Sequence, residues 1–125
     1  MPNINAAIGC AQMERLGEIL SGKRRLADAY SGFCERAGLQ FVREPDGCRS
    51  NYWLNAVLLD DQTQRDEFLN RTNDAGVMTR PLWEPLHRLP MFKDRQAAGL
   101  ENSEWLAARL VAIPSGVKWA ERNIE

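Results

Sequence analysis

Three prolines, Pro81, Pro85 and Pro90, fall within the single stretch from Thr79 to Phe92. Each lacks a backbone N–H and has φ fixed near −65°, so the stretch cannot continue a helix or occupy the middle of a sheet. The backbone there must be a stiff, irregular loop leaving a strand. The same loop carries the only histidine of the chain, His87, together with Arg80, Arg88 and Trp83. A stiff loop presenting an imidazole, guanidinium groups and an indole is suited to contacting a ligand. The contrasting structural reading has Trp83 and Phe92 plugging a core edge and His87 bonded to a backbone group. In the functional reading, Arg80 meets an anion, Trp83 stacks on a ring, and His87 lies at the edge of a polar cleft.

Around this loop, the local signals predict alternating helices and short strands. Apolar positions at Ile8, Leu16, Ile19, Leu20, Ala27, Tyr30 and Phe33/Cys34 follow a helical stripe from Asn5 to Ala37, with Ser21-Gly22 as a candidate kink and Gly38 as the stop. The basic run Lys23-Arg24-Arg25, flanked by Glu18 and Asp28, reads as a solvated helix face. Leu39–Arg43 reads as a strand, followed by a turn at Pro45-Asp46-Gly47. Asn51–Leu59 alternates with both faces largely apolar and reads as an internal strand. Asp60-Asp61 starts a helix to about Asn73 with Phe68 and Leu69 inward, and Gly76 ends it. Val77–Leu82 returns as a strand into the proline loop. Leu100–Leu110 reads as a helix capped at Asn102 or Ser103, with Trp105, Leu106 and Leu110 on its apolar side, and Val111–Pro114 as a last extended piece. This order predicts an α+β fold, a small, largely antiparallel sheet packed by helices, in a single domain over residues 1–125.

Composition narrows the chemistry. A net charge of −1 lacks the basic face that phosphate backbones demand, so nucleic acid is not an expected partner. No apolar run reaches the ~20 residues of a membrane span, and no N-terminal segment has the pattern of a secretory signal. Three dispersed cysteines (Cys10, Cys34 and Cys48) read as reduced thiols of a cytoplasmic protein, with Cys10 and Cys34 as small buried hydrophobes on the first helix. One histidine and no Cys-x-x-Cys pair leave no metal site to predict. No G-x-S-x-G, G-x-G-x-x-G or P-loop sequence occurs. The acidic pairs Asp60-Asp61 and Asp66-Glu67 fit helix starts or solvated faces. Spacing alone yields no self-contained catalytic set.

Four segments, in order, carry a family resemblance. Residues Met1 to Leu16 (Met-Pro-Asn-Ile-Asn-Ala-Ala-Ile-Gly-Cys-Ala-Gln-Met-Glu-Arg-Leu) resemble the start of the small-domain helix in the DegT/DnrJ/EryC1/StrS sugar aminotransferases. Ser50 to Asn55 (Ser-Asn-Tyr-Trp-Leu-Asn) and Thr79-Arg80-Pro81-Leu82-Trp83 through His87-Arg88-Leu89-Pro90-Met91-Phe92 most resemble a narrower group. Its members aminate 4-keto nucleotide sugars on the way to legionaminic acid and bacillosamine-type sugars. Leu100 to Gly116, ending Ala-Ile-Pro-Ser-Gly, is similar to the closing helix and strand. The resemblance implies the small C-terminal domain of a fold-type I pyridoxal phosphate enzyme, about the last third of the family's length.

It also implies that the large domain precedes Met1 and holds the cofactor, its lysine and its aspartate. No catalytic or cofactor-binding residue is then expected in this chain, and Lys23, Lys93 and Lys118 do not stand in the family's lysine context. Alone, the chain should be inactive. By the same resemblance, His87 positions or gates the substrate, Arg80 contacts a phosphate or carboxylate, and Trp83 and Tyr52 form neighbouring walls. A nucleotide sugar, the pyridoxal phosphate domain and a second subunit are the implied partners. The segment Lys118-Trp119-Ala120-Glu121-Arg122 departs from the family's final helix. A reading from another class stays open: a stand-alone binding or self-associating module derived from such an enzyme, without catalysis.

Overall fold

The computed structural model describes residues 2–117, so Met1 and the segment from Lys118 onward lie outside the described residues. The predicted first helix is two helices, α1 (Asn3–Glu14) and α2 (Leu16–Ala37), broken at Arg15, where φ is −100° and ψ is 4°. Ser21-Gly22 does not kink the chain. Gly22 is buried inside α2, and a Cβ there would lie 2.6 Å from a methyl of Val117. Its smallness admits a neighbour rather than a bend. Gly38 does end α2: at φ 68° it donates to the Glu35 carbonyl while the Leu39 amide reaches Cys34 O, closing a Schellman turn.

The strands are β1 (Gln40–Phe41), β2 (Asn55–Leu58), β3 (Arg80–Pro81) and β4 (Leu110–Ile113), ordered β1-β2-β4-β3 with every pair antiparallel. The predicted internal strand is internal, but it is shorter than Asn51–Leu59. Tyr52 has φ 45°, a left-handed conformation that takes residues 51–54 out of the ladder. Strands expected over Leu39–Arg43 and Val77–Leu82 likewise keep only two ladder residues each. Pro81 pairs with Val111 on the edge strand β3, where its missing N–H breaks no ladder.

Helix α3 (Gln62–Asp74) starts as expected. The Asp61 side chain accepts from the Gln64 amide at 2.9 Å, satisfying one of the unpaired N–H groups of the first turn. Gly76, at φ 78°, follows its end. Helix α4 spans only Glu101–Ala107, and Leu100, not Asn102 or Ser103, occupies its N-cap position. Leu110 belongs to β4 and is buried, whereas Trp105 and Leu106 are exposed. The Arg109 guanidinium covers the Trp105 ring at 4.7 Å, which gives that indole a partner outside the core.

The core lies between the sheet and helices α2 and α3. Ala27 and Cys34 from α2 meet Val57, Val111 and Ile113 from the sheet and Leu59 just beyond β2, with Tyr30, Phe68 and Leu69 packed against them. Val57 and Val111 sit opposite each other in register and are almost entirely shielded from water. Helix α1 buries no residue, and Ile4, Ile8, Cys10 and Met13 are exposed along it. The burial expected for Cys10 is therefore not found, because no described element packs over that face of α1; Cys34 is buried, and burial pushes its thiol pKa up. None of the described helices is long and apolar enough to cross a membrane.

Candidate functional site

The proline loop leaves β3 at Pro81 and returns through α4 to β4. It is more ordered than a plain irregular loop: two 3₁₀ turns, Leu86–Arg88 and Pro90–Phe92, follow Pro85 and Leu89. Proline is admissible at the first position of a helical turn, where its absent N–H has no partner to lose, and Pro90 takes that place. The Arg88 amide bonds Pro85 O at 2.9 Å and the Phe92 amide bonds Leu89 O at 2.9 Å, so the prolines and their turns set the path of the segment together.

This segment and α4 enclose an open cleft of about 760 Å³, with Trp83, Pro85, His87, Phe92, Arg95 and Ser103 among its lining residues. His87 sits on the first 3₁₀ turn, with its Nε2 against the Glu104 carboxylate on α4. Arg88 engages the same carboxylate, Nε donating to Oε1 at 3.1 Å, and also Glu84 at 3.2 Å. Glu104 thereby ties the turn to α4 and orients the imidazole. In the neutral ring with its proton on Nε2, Nδ1 keeps its lone pair as an acceptor. The arrangement offers one oriented imidazole in a mostly apolar recess, suited to holding a polar group of a ligand.

Trp83 lines this cleft and stacks on Trp53, with ring centroids 6.3 Å apart and planes inclined by 29°. Arg80 does not line the cleft. It is exposed on β3, with Nη2 3.6 Å from the Met78 sulfur, and no carboxylate among the described residues pairs with it. Tyr52 lies elsewhere. Its ring stacks on Phe41 at 6.4 Å, the Arg24 guanidinium covers it at 5.5 Å, and its hydroxyl accepts from the Glu44 amide at 3.2 Å. Of the four residues singled out from the sequence, His87 and Trp83 share a wall; Arg80 and Tyr52 are outside it.

The loop holding Tyr52 and Trp53 is fastened by the basic run expected to be solvated. Arg24 grips Glu44 through two nitrogens, at 3.0 and 2.6 Å, and reaches Ser50 O at 2.7 Å. Glu44 also accepts from the Ser50 amide at 2.6 Å. The Arg24 hydrogen bonds, then that amide, hold the Glu44 carboxyl down to about 2. Lys23 Nζ donates to Ser115 O at 2.6 Å and Trp53 O at 3.1 Å, and burial lowers its pKa. Only Arg25 of the three keeps the exposed position expected of the run. The sequence alone does not mark Glu104, Trp53, Lys23, Arg24 and Glu44 as site or loop-holding residues, because the partner of each lies distant in the chain.

Among the described residues, no three His, Cys, Asp or Glu side chains group as metal ligands would. Nor do they suit pyridoxal phosphate: the Lys23 ammonium is committed to two carbonyls, and no lysine or carboxylate lines the cleft.

Comparison with known proteins agrees with this architecture. The chain is 33% identical over 120 residues to a GDP-perosamine synthase of Vibrio cholerae, covering 92% of this chain and 32% of that protein. The crystal structure of the aminotransferase TlmJ from Streptoalloteichus hindustanus superposes with a TM-score of 0.78 at 28% identity, over 88% of this chain and 30% of TlmJ. That of DesI, determined in the presence of its TDP-sugar product, gives a TM-score of 0.76 at 25% identity, over 94% of this chain and 32% of DesI. The chain thus spans about a third of the length of these relatives. By a family profile that matches residues 1–125, on a fold shared with solved aminotransferases, the chain belongs to the DegT/DnrJ/EryC1/StrS aminotransferase family.

Proposed function

We propose that this chain is the C-terminal domain of an aminotransferase that aminates a 4-keto nucleotide sugar, of the group serving legionaminic acid and bacillosamine-type sugars. The observation that carries the reading is the cleft in which His87 and Trp83 meet, on a chain of this family. His87, oriented by Glu104, holds a polar group of the substrate. Trp83 offers a flat face to a ring, and Arg80, unpaired by any described carboxylate, meets the phosphates. Tyr52 acts from behind, by holding its loop to Arg24 and Phe41. Pyridoxal phosphate, which supplies the electron sink for amino transfer, and the lysine that anchors it belong to polypeptide beyond this chain. The complete enzyme is a cytoplasmic homodimer, and this chain alone is inactive.

The test has two parts. An antibody against this chain should detect, in the source cell, a protein roughly three times its 14.2 kDa, since the chain covers 32% of a relative. In that protein, His87→Ala and Arg80→Ala should each lower kcat/KM by about 10- to 100-fold, the usual worth of a hydrogen bond to a charged group. Activity within twofold of the parent for both variants would remove them from the site.

A band at 14.2 kDa would favour the second reading, a self-associating module without catalysis. The bare apolar side of α1, with Ile4, Ile8 and Met13 exposed, supports that alternative. Sedimentation would then have to find dimers or larger particles.

A further inference from the structure

Trp53 is two-thirds exposed, yet its backbone is held at both its amide and its carbonyl. Its amide donates to Asn51 Oδ1 at 3.0 Å, and its carbonyl accepts from Lys23 at 3.1 Å. The preceding residue, Tyr52, adopts φ 45°, which L-residues with a bulky side chain seldom take, and its ring is pinned between Phe41 and Arg24. Strain of this kind persists only where surrounding contacts enforce it. Here they aim an indole at the surface instead of into the core. The target of that aim is Trp83: the rings lie within the stacking range and are close enough to parallel that one face of Trp83 is backed by Trp53.

We infer that Trp53 is a positioning residue for the cleft, one that backs the Trp83 indole and presets its other face for a ring of the ligand. This rests on the reading of the cleft as a nucleotide-sugar site. An exposed tryptophan on a loop samples several rotamers, and ordering it on binding weakens affinity. Trp53 does this ordering in advance, from a loop that itself contributes nothing to the lining. The alternative, in which Trp53 touches the ligand directly, predicts a different coupling between the two indoles.

The experiment labels the 125-residue chain with 5-fluorotryptophan and assigns the Trp83 fluorine resonance by Trp83→Phe. Trp53→Ala should move that resonance toward its value in the urea-unfolded chain with the far-UV circular dichroism unchanged, and Trp53→Phe should restore it. Trp53→Leu replaces the alanine variant if the latter disturbs the dichroism. Affinity for dTDP-glucose, used as the probe, should fall about 3- to 10-fold in Trp53→Ala, the worth of one aromatic pair. In a Trp83→Ala background the same substitution should cost nothing further. An unmoved Trp83 resonance overturns the inference, as does an equal affinity loss in both backgrounds. If the parent chain binds no dTDP-glucose but the resonance moves, the positioning role stands and the cleft of this chain does not by itself hold a nucleotide sugar.

Discussion

Val111→Ala removes two methyl groups from the centre of β4, the strand against which both β2 and β3 are zipped. Val111 is fully shielded from water, faces Val57 across one ladder and Pro81 across the other, and belongs to the main apolar cluster. Losing the transfer free energy of two methyls costs about 1.6 kcal/mol. The space they vacate, on the order of 50 Å³, adds about 1 kcal/mol, because neighbours held in two ladders relax little. The expected loss is therefore about 2–3 kcal/mol, a fall in Tm of roughly 8–12 °C for a chain of this size. Urea titration followed by far-UV circular dichroism reads it as a lower midpoint with an unchanged slope. Met91→Ala, at a position 66% exposed, is the control and should stay within about 0.5 kcal/mol. A Val111→Ala loss below about 1 kcal/mol at unchanged slope would refute the sealed centre.

Other perturbations report on the loop clasps and helix ends. Glu44 titrates at about 2 in the folded chain against an ordinary 4.5, so what it contributes to stability is whole above about 4.5 and is lost as pH falls towards 2. Carboxyl-carbon NMR should show that low midpoint, and Arg24→Gln should raise it; a Glu44 midpoint near 4.5 in the parent contradicts the clasp. Asp61→Ala removes the acceptor for the Gln64 amide and should cost about 0.5–2 kcal/mol in the same urea titration. Gly76→Ala puts a Cβ on a residue at φ 78° and should cost about 1–2 kcal/mol, although nothing stands in the way of the methyl. No loss there would mean that the turn relaxes out of the left-handed region.

Features set by neighbours in sequence were legible. Gly38 and Gly76 stop their helices, Asp61 caps α3, and the largely apolar faces of Asn51–Leu59 mark the strand within it, β2, as internal. Features set by distant partners were not. Ser21-Gly22 resembles a break because a sequence cannot show that Gly22 faces Val117, while the actual break at Arg15 carries no glycine or proline. The run Lys23-Arg24 looks like any solvated charge cluster until Ser115, Trp53, Glu44 and Ser50 fold back to it. The same holds at the site. The proline loop points to Arg80, Trp83 and His87 together; Trp83 and His87 line one recess and Arg80 does not, the carboxylate that orients the imidazole comes from α4, and the indole that backs Trp83 comes from the loop before β2.

Pro81 and Val111 are partners in the ladder, so residues 82–109 leave the sheet and re-enter it at adjacent points. Both 3₁₀ turns, α4 and most of the cleft wall lie in that excursion. Such a stem makes the segment a cassette. The entropy of closing it grows only as the logarithm of its length, about 0.6 kcal/mol per doubling, so it can be lengthened or exchanged while the strand register beneath stays the same. The chemistry of the recess is in this way free to diverge faster than the sheet that carries it.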